Sequence, residues 1–296
     1  MYVFYHRSDL DGLCSAAIIK HKYPDIQCIG IEYGDKFPWE LFQPVIVQSY
    51  KQNEGPYESH LKAVEKQEIF MADFSLPIKD MVWLNDFHSL TWIDHHIIAI
   101  QDAEKYNLNA KGLQQVGVGA CELTWNYLYP NIDVPQTIVY LSNYDVWKLD
   151  DPRTLKFQYG CKSIDTSLDN TTFWNNIIKS DPSFIIDLLT SGEYILEFVK
   201  EDNKKYLKEF GTEMEFEGYK ALVCNKGMAS SQLFESQWDE SKYDIMVAVV
   251  MLPNKKWRVS LYTTKKDINV GEIAKKFGGG GHFSAAGFIT GRLWHV

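Results

Sequence analysis

Over the first 100 residues short apolar runs alternate with amphipathic stretches, the pattern of parallel strands joined by helical crossovers. Tyr2 to Tyr5 predicts a first strand, and Leu13 to Lys22 a helix with Leu13, Ala16 and Ala17 at helical spacing. Ile26 to Ile31 predicts a second strand and Glu68 to Ala72 a third. Pro77 to Phe87 follows as a helix opened by proline, and Leu90 to Ile93 as a fourth strand. Strands one, three and four each run directly into histidine or aspartate. Ligands of open α/β sheets bind outside the carboxyl ends of the strands, so these polar residues are expected on one rim. The polar run Gln48 to Gln67, with Gly55-Pro56 inside it, reads as an inserted loop with a short helix, either a solvated excursion or a lid.

Further along, Ala120 to Tyr129 and Ile138 to Asn143 read as helices and Asp150-Asp151-Pro152 as a turn. Ser191-Gly192-Glu193 opens a long helical stretch to about Phe210, charged on one face. Strand-like Ala221 to Cys224 comes next, then a hairpin of Ile245 to Leu252 and Trp257 to Thr263 around Pro253-Asn254-Lys255-Lys256. A helix from Val270 to Phe277 leads into four glycines. The expected fold class is α/β. A parallel-sheet N-terminal domain (1–190) is joined by a helical connector (191–212) to a smaller α/β C-terminal domain (213–296).

Length supports that division, because 296 residues at about 150 per domain give two. A 45% hydrophobic and 14% aromatic content is ample for two cores. With 23% charged residues balancing to −9, a disordered polyelectrolyte, a collagen-like fibre and a wholly basic nucleic-acid coat are excluded. The charge divides unevenly. Residues 213–296 hold 11 Lys/Arg against 9 Asp/Glu, whereas residues 1–212 hold 19 against 30, so the acidity belongs to the first domain. Five scattered cysteines, none in C-x-x-C spacing, indicate neither a disulfide framework nor a zinc ribbon and suit a reducing cytoplasm. The longest apolar run, Ile245 to Leu252, is eight residues against the roughly 18 of a membrane helix, and Met1 to Arg7 does not begin like an export signal. A cytoplasmic protein without a membrane partner is expected.

Four segments carry candidate chemistry. His6-Arg7-Ser8-Asp9-Leu10-Asp11-Gly12 places an imidazole and two carboxylates within one turn, although D-x-D-G alone also describes a plain turn. Asp73 ends an apolar strand, where taken alone a cap for the helix starting near Pro77 is the simpler reading. Asp94-His95-His96 sits on a strand end that the sheet should bury, which is costly unless something binds it. Asp145, in Tyr144-Asp145-Val146-Trp147, follows a helix, where a surface aspartate is the simpler reading. Taken together they form an inventory of carboxylates and imidazoles without a thiolate. That is the donor set for a pair of hard divalent cations such as Mn²⁺, and not for structural zinc.

The ordered set H-x-x-D-x-D-G, D-F-S, D-H-H and Y-D-x-W resembles the four motifs of the DHH phosphoesterase superfamily. Gly278-Gly279-Gly280-Gly281-His282, followed by Ser284-Ala285-Ala286-Gly287, is similar to the G-G-G-H signature of the associated C-terminal domain. The likeness covers both halves of the chain. It implies that His6, Asp9 and Asp73 hold one Mn²⁺, that Asp11, Asp73, His95 and Asp145 hold the second, and that Mg²⁺ or Co²⁺ can substitute. It also implies that His96 faces the scissile phosphate and that Asp94 orients its neighbours. A water activated between the two ions would attack phosphorus.

The glycine run has its own physical reading, since residues free to adopt φ > 0 and with unoccupied N–H groups make an anion-binding nest. The other reading is a flexible helix stop. Gly279, Gly280, Gly281 and His282 are therefore expected to bind substrate phosphate. Arg258, midway in a strand, is expected to add to them. Arg7 is expected either to stabilise transition-state charge or to form a rim salt bridge. Size and motif choice point to the compact oligonucleotidase and bisphosphate-phosphatase type of the superfamily. Its substrates would be short oligoribonucleotides or adenosine 3′,5′-bisphosphate. The alternatives are a polyphosphate- or cyclic-dinucleotide-product-directed phosphohydrolase and a non-hydrolysing nucleotide sensor. Long duplex nucleic acid is not an expected partner, and a homodimer is left open. The segment from Tyr33 to Trp39 is family-like, while the Gln48–Gln67 excursion departs from the compact pattern and bears on the substrate.

Overall fold

The computed structural model describes residues 1–32, 34–42 and 66–293. The excursion expected over Gln48–Gln67 falls outside the described residues except at its last two positions, as does Tyr33. The chain divides into two compact units, Met1–Glu193 and Tyr194–Val296.

In order, the first unit contains β1 (Tyr2–His6), α1 (Leu10–Lys22), β2 (Gln27–Ile31), β3 (Glu68–Ala72), α2 (Ile78–Phe87), β4 (Ser89–Ile93) and α3 (Ile97–Lys105). A helical run follows: α4 (Ala120–Leu128), α5 (Gln136–Asp145), α6 (Pro152–Cys161), α7 (Thr171–Lys179) and α8 (Pro182–Phe210), which continues into the second unit. All four strands are parallel, in the order β2-β1-β3-β4. The strand order reverses between β1 and β3, so the crevice beyond their carboxyl ends is the topological switch point where such sheets bind ligands. Both faces of the sheet are covered. Phe4, Met71, Leu84 and Trp92 pack on one side, and Val3, Ile19, Phe70 and Ala72 on the other. This is why the strands read as unbroken apolar runs rather than alternating ones.

The second unit adds β5 (Gly211–Phe216), β6 (Tyr219–Asn225), β7 (Ile245–Met251), β8 (Trp257–Tyr262), α9 (Val270–Lys275), β9 (Gly280–Gly281) and β10 (Ala285–Thr290). They form one sheet in the order β5-β6-β7-β8-β10-β9, antiparallel except where β6 meets β7. Val247, Val259, Leu261, Ile273 and Phe288 build the core on one face, and Leu207, Leu222, Phe234 and Met246 on the other.

Several boundaries differ from those expected, for local reasons. The Asp150-Asp151-Pro152 turn is the start of α6, because Asp151 caps the helix by accepting the Arg153 N–H (2.9 Å) and Pro152 occupies its first turn. The connector helix begins at Pro182 and not Ser191, with Asp181 accepting the Phe184 N–H at 3.0 Å. α3, α7, β5, β9 and β10 have no counterpart in the apolar pattern, and the small residues of β9 and β10 carry little β-propensity. All five cysteines are free thiols. Among the described residues no helix is long and apolar enough to cross a membrane.

Candidate metal centre

The switch-point crevice gathers the polar residues that end the strands. His6 is the last residue of β1 and Asp73 follows β3, its N–H continuing the ladder to the Ile93 carbonyl (3.0 Å). Asp94 and His95 follow β4. Asp9 caps α1 by accepting the Gly12 N–H at 3.0 Å, so the D-x-D-G segment is a helix entry that turns Asp11 inward, where it is 2% exposed. Asp145 is the last residue of α5.

Three groups of donors result. His6, Asp9 and Asp73 have ligand-type atoms within 4.8 Å of one another, as do Asp11, His95 and Asp145, and also Asp73, Asp94, His95 and His96. His6 Nδ1 lies 2.5 Å from Asp9 and 3.7 Å from Asp73 Oδ2. His95 Nε2 lies 3.2 Å from Asp73 Oδ1, 3.2 Å from Asp145 and 3.7 Å from Asp11. The two oxygens of Asp73 thus turn toward different groups. Asp94 is engaged otherwise. It accepts the His95 N–H (2.7 Å), the His96 N–H (3.1 Å), the Trp92 indole N–H (3.1 Å) and a close contact from His96 Nδ1 (2.6 Å), which fixes the His96 ring.

Crowding shows in the titration of these groups. Asp11 is pushed up to about 7 by burial and then by Asp73, and Asp73 to about 7 by burial and then by Asp9. Asp145 is raised well above the carboxylate range by burial and by Asp11. Burial opposes a charged His6, but the carboxylates of Asp73 and Asp9 beside it outweigh that and raise it to about 11. His96 rises to about 9 in the same way, through Asp94. Asp73 Oδ2 is buried without a hydrogen bond, an unfavourable state for a carboxylate oxygen unless a cation takes it. The Cys121 thiol beside Asp11 is pushed well up by burial and offers no thiolate. Oxygen and imidazole donors around a negative, poorly solvated pocket fit divalent cations of the Mn²⁺ or Mg²⁺ kind.

Two supports were not foreseen. Glu32 lies 3.2 Å from His6 Nε2, and the strand-end argument that selected His6 also applies to this residue directly after β2. Asp11 accepts the N–H groups of Ala120 (2.6 Å) and Cys121 (2.8 Å) at the start of α4, where free amides and the helix dipole favour an anion. Gly119 permits that approach, since a Cβ there would sit 2.7 Å from Ser142 Cα and 3.0 Å from Asp11 Oδ1. Gly119→Ala is expected to cost about 2 kcal/mol of stability and to weaken metal binding, both readable from thermal melts with and without Mn²⁺.

The remaining candidates lie elsewhere. Arg7 is half exposed and tied to Asp35 (2.6 Å) and the Gly30 carbonyl (3.3 Å), which makes it a rim salt bridge. In the second unit the glycine run is not the open nest expected. The Gly278 and Gly279 N–H groups are taken by the Lys275 and Ala274 carbonyls, and Gly280–Gly281 form β9 against Ala286–Gly287. Gly281 has φ 142° and lies against Ala286, a position suited to glycine. His282 is exposed and begins the turn into β10, its N–H bonded to the Ala285 carbonyl (2.7 Å). Arg258, also exposed, pairs in register with Ile289, whereas Ala285 next to the turn pairs with Tyr262. Four strand positions, about 13 Å, therefore separate Arg258 from the turn. It lines a cleft of about 430 Å³ with Ser260, Tyr262 and Gly287.

Residues 227–291 match the DHHA1 domain. The chain is 26% identical to an uncharacterised protein of Acanthamoeba polyphaga mimivirus, over 96% of this chain and 66% of that protein, so it spans somewhat less than two thirds of that relative's length. The DHH domain of a member of a ribosomal-protein family shares the fold, with TM-score 0.58 and 13% identity over 98% of this chain and 82% of that one. So does a pGpG-specific phosphodiesterase from Vibrio cholerae, with TM-score 0.52 and 11% identity over 98% and 93%. The chain thus carries a match to the DHHA1 domain near its end and shares its fold with a DHH domain.

Proposed function

We propose that the chain is a Mn²⁺-dependent phosphoesterase that uses two metal ions to cleave phosphate esters of short nucleotides, with short oligoribonucleotides and adenosine 3′,5′-bisphosphate as its substrates. The observation that carries this reading is the disposition of Asp73, with one oxygen 3.2 Å from His95 Nε2 and the other 3.7 Å from His6 Nδ1. One carboxylate so placed would serve two ions, one shared with His6 and Asp9 and the other with Asp11, His95 and Asp145. Bound divalent cations supply Lewis-acid polarisation of the phosphoryl group and a nucleophilic water at neutral pH.

The residues of the chain do the rest. Amides of α4 hold Asp11 in place. Asp94 engages Nδ1 of His96, so Nε2 would face a phosphoryl oxygen and His96 would balance charge there. Within the DHHA1 domain, Gly280, Gly281 and His282, at the turn into β10, would offer contacts to a nucleotide phosphate. The acidity of residues 1–212 supports a short substrate, since long-backbone binding needs clustered positive charge. The substrate named for the Vibrio fold neighbour, pGpG, is a short linear dinucleotide.

The test is to incubate the protein and Mn²⁺ with linear dinucleotides, adenosine 3′,5′-bisphosphate, cyclic dinucleotides and polyphosphate, with a chelator in parallel. Linear dinucleotides or the bisphosphate should be turned over fastest, and chelation should stop the reaction. Preference for polyphosphate would remove the nucleotide assignment. Nucleotide binding by a two-metal protein without any product would replace the enzyme with a sensor.

A further inference from the structure

Of the seven non-glycine residues with positive φ among those described, Trp147 is the one aromatic, at φ 58°. It closes α5. The Trp147 N–H donates to the Tyr144 carbonyl (3.1 Å) and the Lys148 N–H to the Asn143 carbonyl (2.7 Å), the pairing of a Schellman end. The left-handed position of that motif belongs to glycine, because a Cβ crowds the neighbouring carbonyl. Burial does not account for the indole, which is 44% exposed and lies 5.6 Å from the ring of Tyr144. A strained residue whose burial does not explain its strain is a candidate for function.

Position supplies that reason. Trp147 lies two residues beyond Asp145, whose carboxylate reaches to 3.2 Å from His95 Nε2, so its Cα is within about 7 Å of that of Asp145. Ile97 and Ile98, each 43% exposed, directly follow His96. The carboxylate–imidazole cluster is thus flanked in the chain by exposed apolar side chains after Asp145 and after His96. An indole has nothing to offer a phosphate, but its face is a platform for a flat aromatic ring.

We infer that Trp147 is a substrate-binding residue that stacks on the nucleobase next to the scissile phosphate, an inference that rests on the nucleotide reading proposed above. The side chain therefore selects nucleotides over base-free phosphate esters.

The experiment titrates the Mn²⁺-loaded protein with AMP and with ribose 5-phosphate by calorimetry, for wild type, Trp147→Gly and Trp147→Phe. Wild type should prefer AMP by roughly tenfold, Trp147→Phe should keep most of that preference, and Trp147→Gly should lose it. Because glycine relaxes the backbone, Trp147→Gly should melt at the wild-type temperature or above. A structural role predicts the reverse, with lower melting and both ligands weakened alike, and that result would overturn the inference. A preference for AMP that survives in Trp147→Gly would overturn it too, as would equal wild-type binding of the two ligands. If wild type cleaves none of the panel of phosphate esters, the parent reading falls and this one with it. If wild type cleaves them while Trp147→Gly keeps its preference, only the stacking role is lost.

Discussion

Asp73→Asn is expected to lower turnover by roughly 10³-fold or more and to reduce the Mn²⁺ stoichiometry from two to at most one. The amide keeps the volume of the side chain and loses the charge that both clusters share. The same change should raise the melting temperature of the metal-free protein, because the buried Oδ2 that has no hydrogen bond gives way to a neutral group. Opposite signs for stability and activity separate loss of the metal bridge from misfolding, which would lower both. Asp73→Ala should match the loss of activity. Wild-type turnover and two bound ions in either variant would remove the two-metal mechanism.

Without metal, the protein should lose stability as pH rises from about 5 to 8, with a fall in melting temperature on the order of 5 °C. Asp11 and Asp73 titrate near 7 in the fold and near 4 when unfolded, and Asp145 is also raised. A carboxyl whose folded pKa is raised contributes stability that is fully present below its unfolded pKa and lost as pH climbs through the folded one. His6 and His96, raised to about 11 and about 9, act in the same direction over the alkaline part of the window. Asp9 and Asp94, whose pKa values are lowered, protect the fold above their unfolded pKa, and their contribution is lost only at lower pH. Saturating Mn²⁺ at pH 8 should reverse the loss and raise melting by about 10 °C, since two sites at 100-fold excess over Kd contribute roughly 5 kcal/mol. Thermal melts across pH, with chelator and with Mn²⁺, read both effects. Stability that rises with pH in the metal-free protein would contradict the crowding of these carboxylates.

Much of the centre was legible because the carboxyl end of a buried parallel strand is marked twice, by the apolar run and by the polar residue that interrupts it. His6, Asp73 and Asp94 are found in that way. Asp145 ends a helix and not a strand, so periodicity gives it no such mark, and the order of the motifs was needed to single it out. Supports contributed by backbone groups leave no trace in residue type. Nothing about Ala120 or Cys121 announces that their amides hold Asp11, and Gly119 is distinguishable only once Ser142 and Asp11 are seen beside it. The glycine run misled in one respect. Composition reports freedom of φ but not whether the N–H groups are spent, and those of Gly278 and Gly279 are. Asp151-Pro152 shows a similar ambiguity, since the residues that favour a turn also start helices.

The ligands proposed for the two ions are spread from His6 to Asp145, and neither group is complete without side chains that lie far apart in sequence. Contacts of such separation form late, because the loops between them must close before any pairing repays the entropy. A nascent chain displays His6, Asp9 and Asp11 long before Asp145 has been synthesised. Metal capture would thereby be an end-point of assembly, and an ion held at full affinity would certify that β1, β3, β4 and the helix ending at Asp145 have docked.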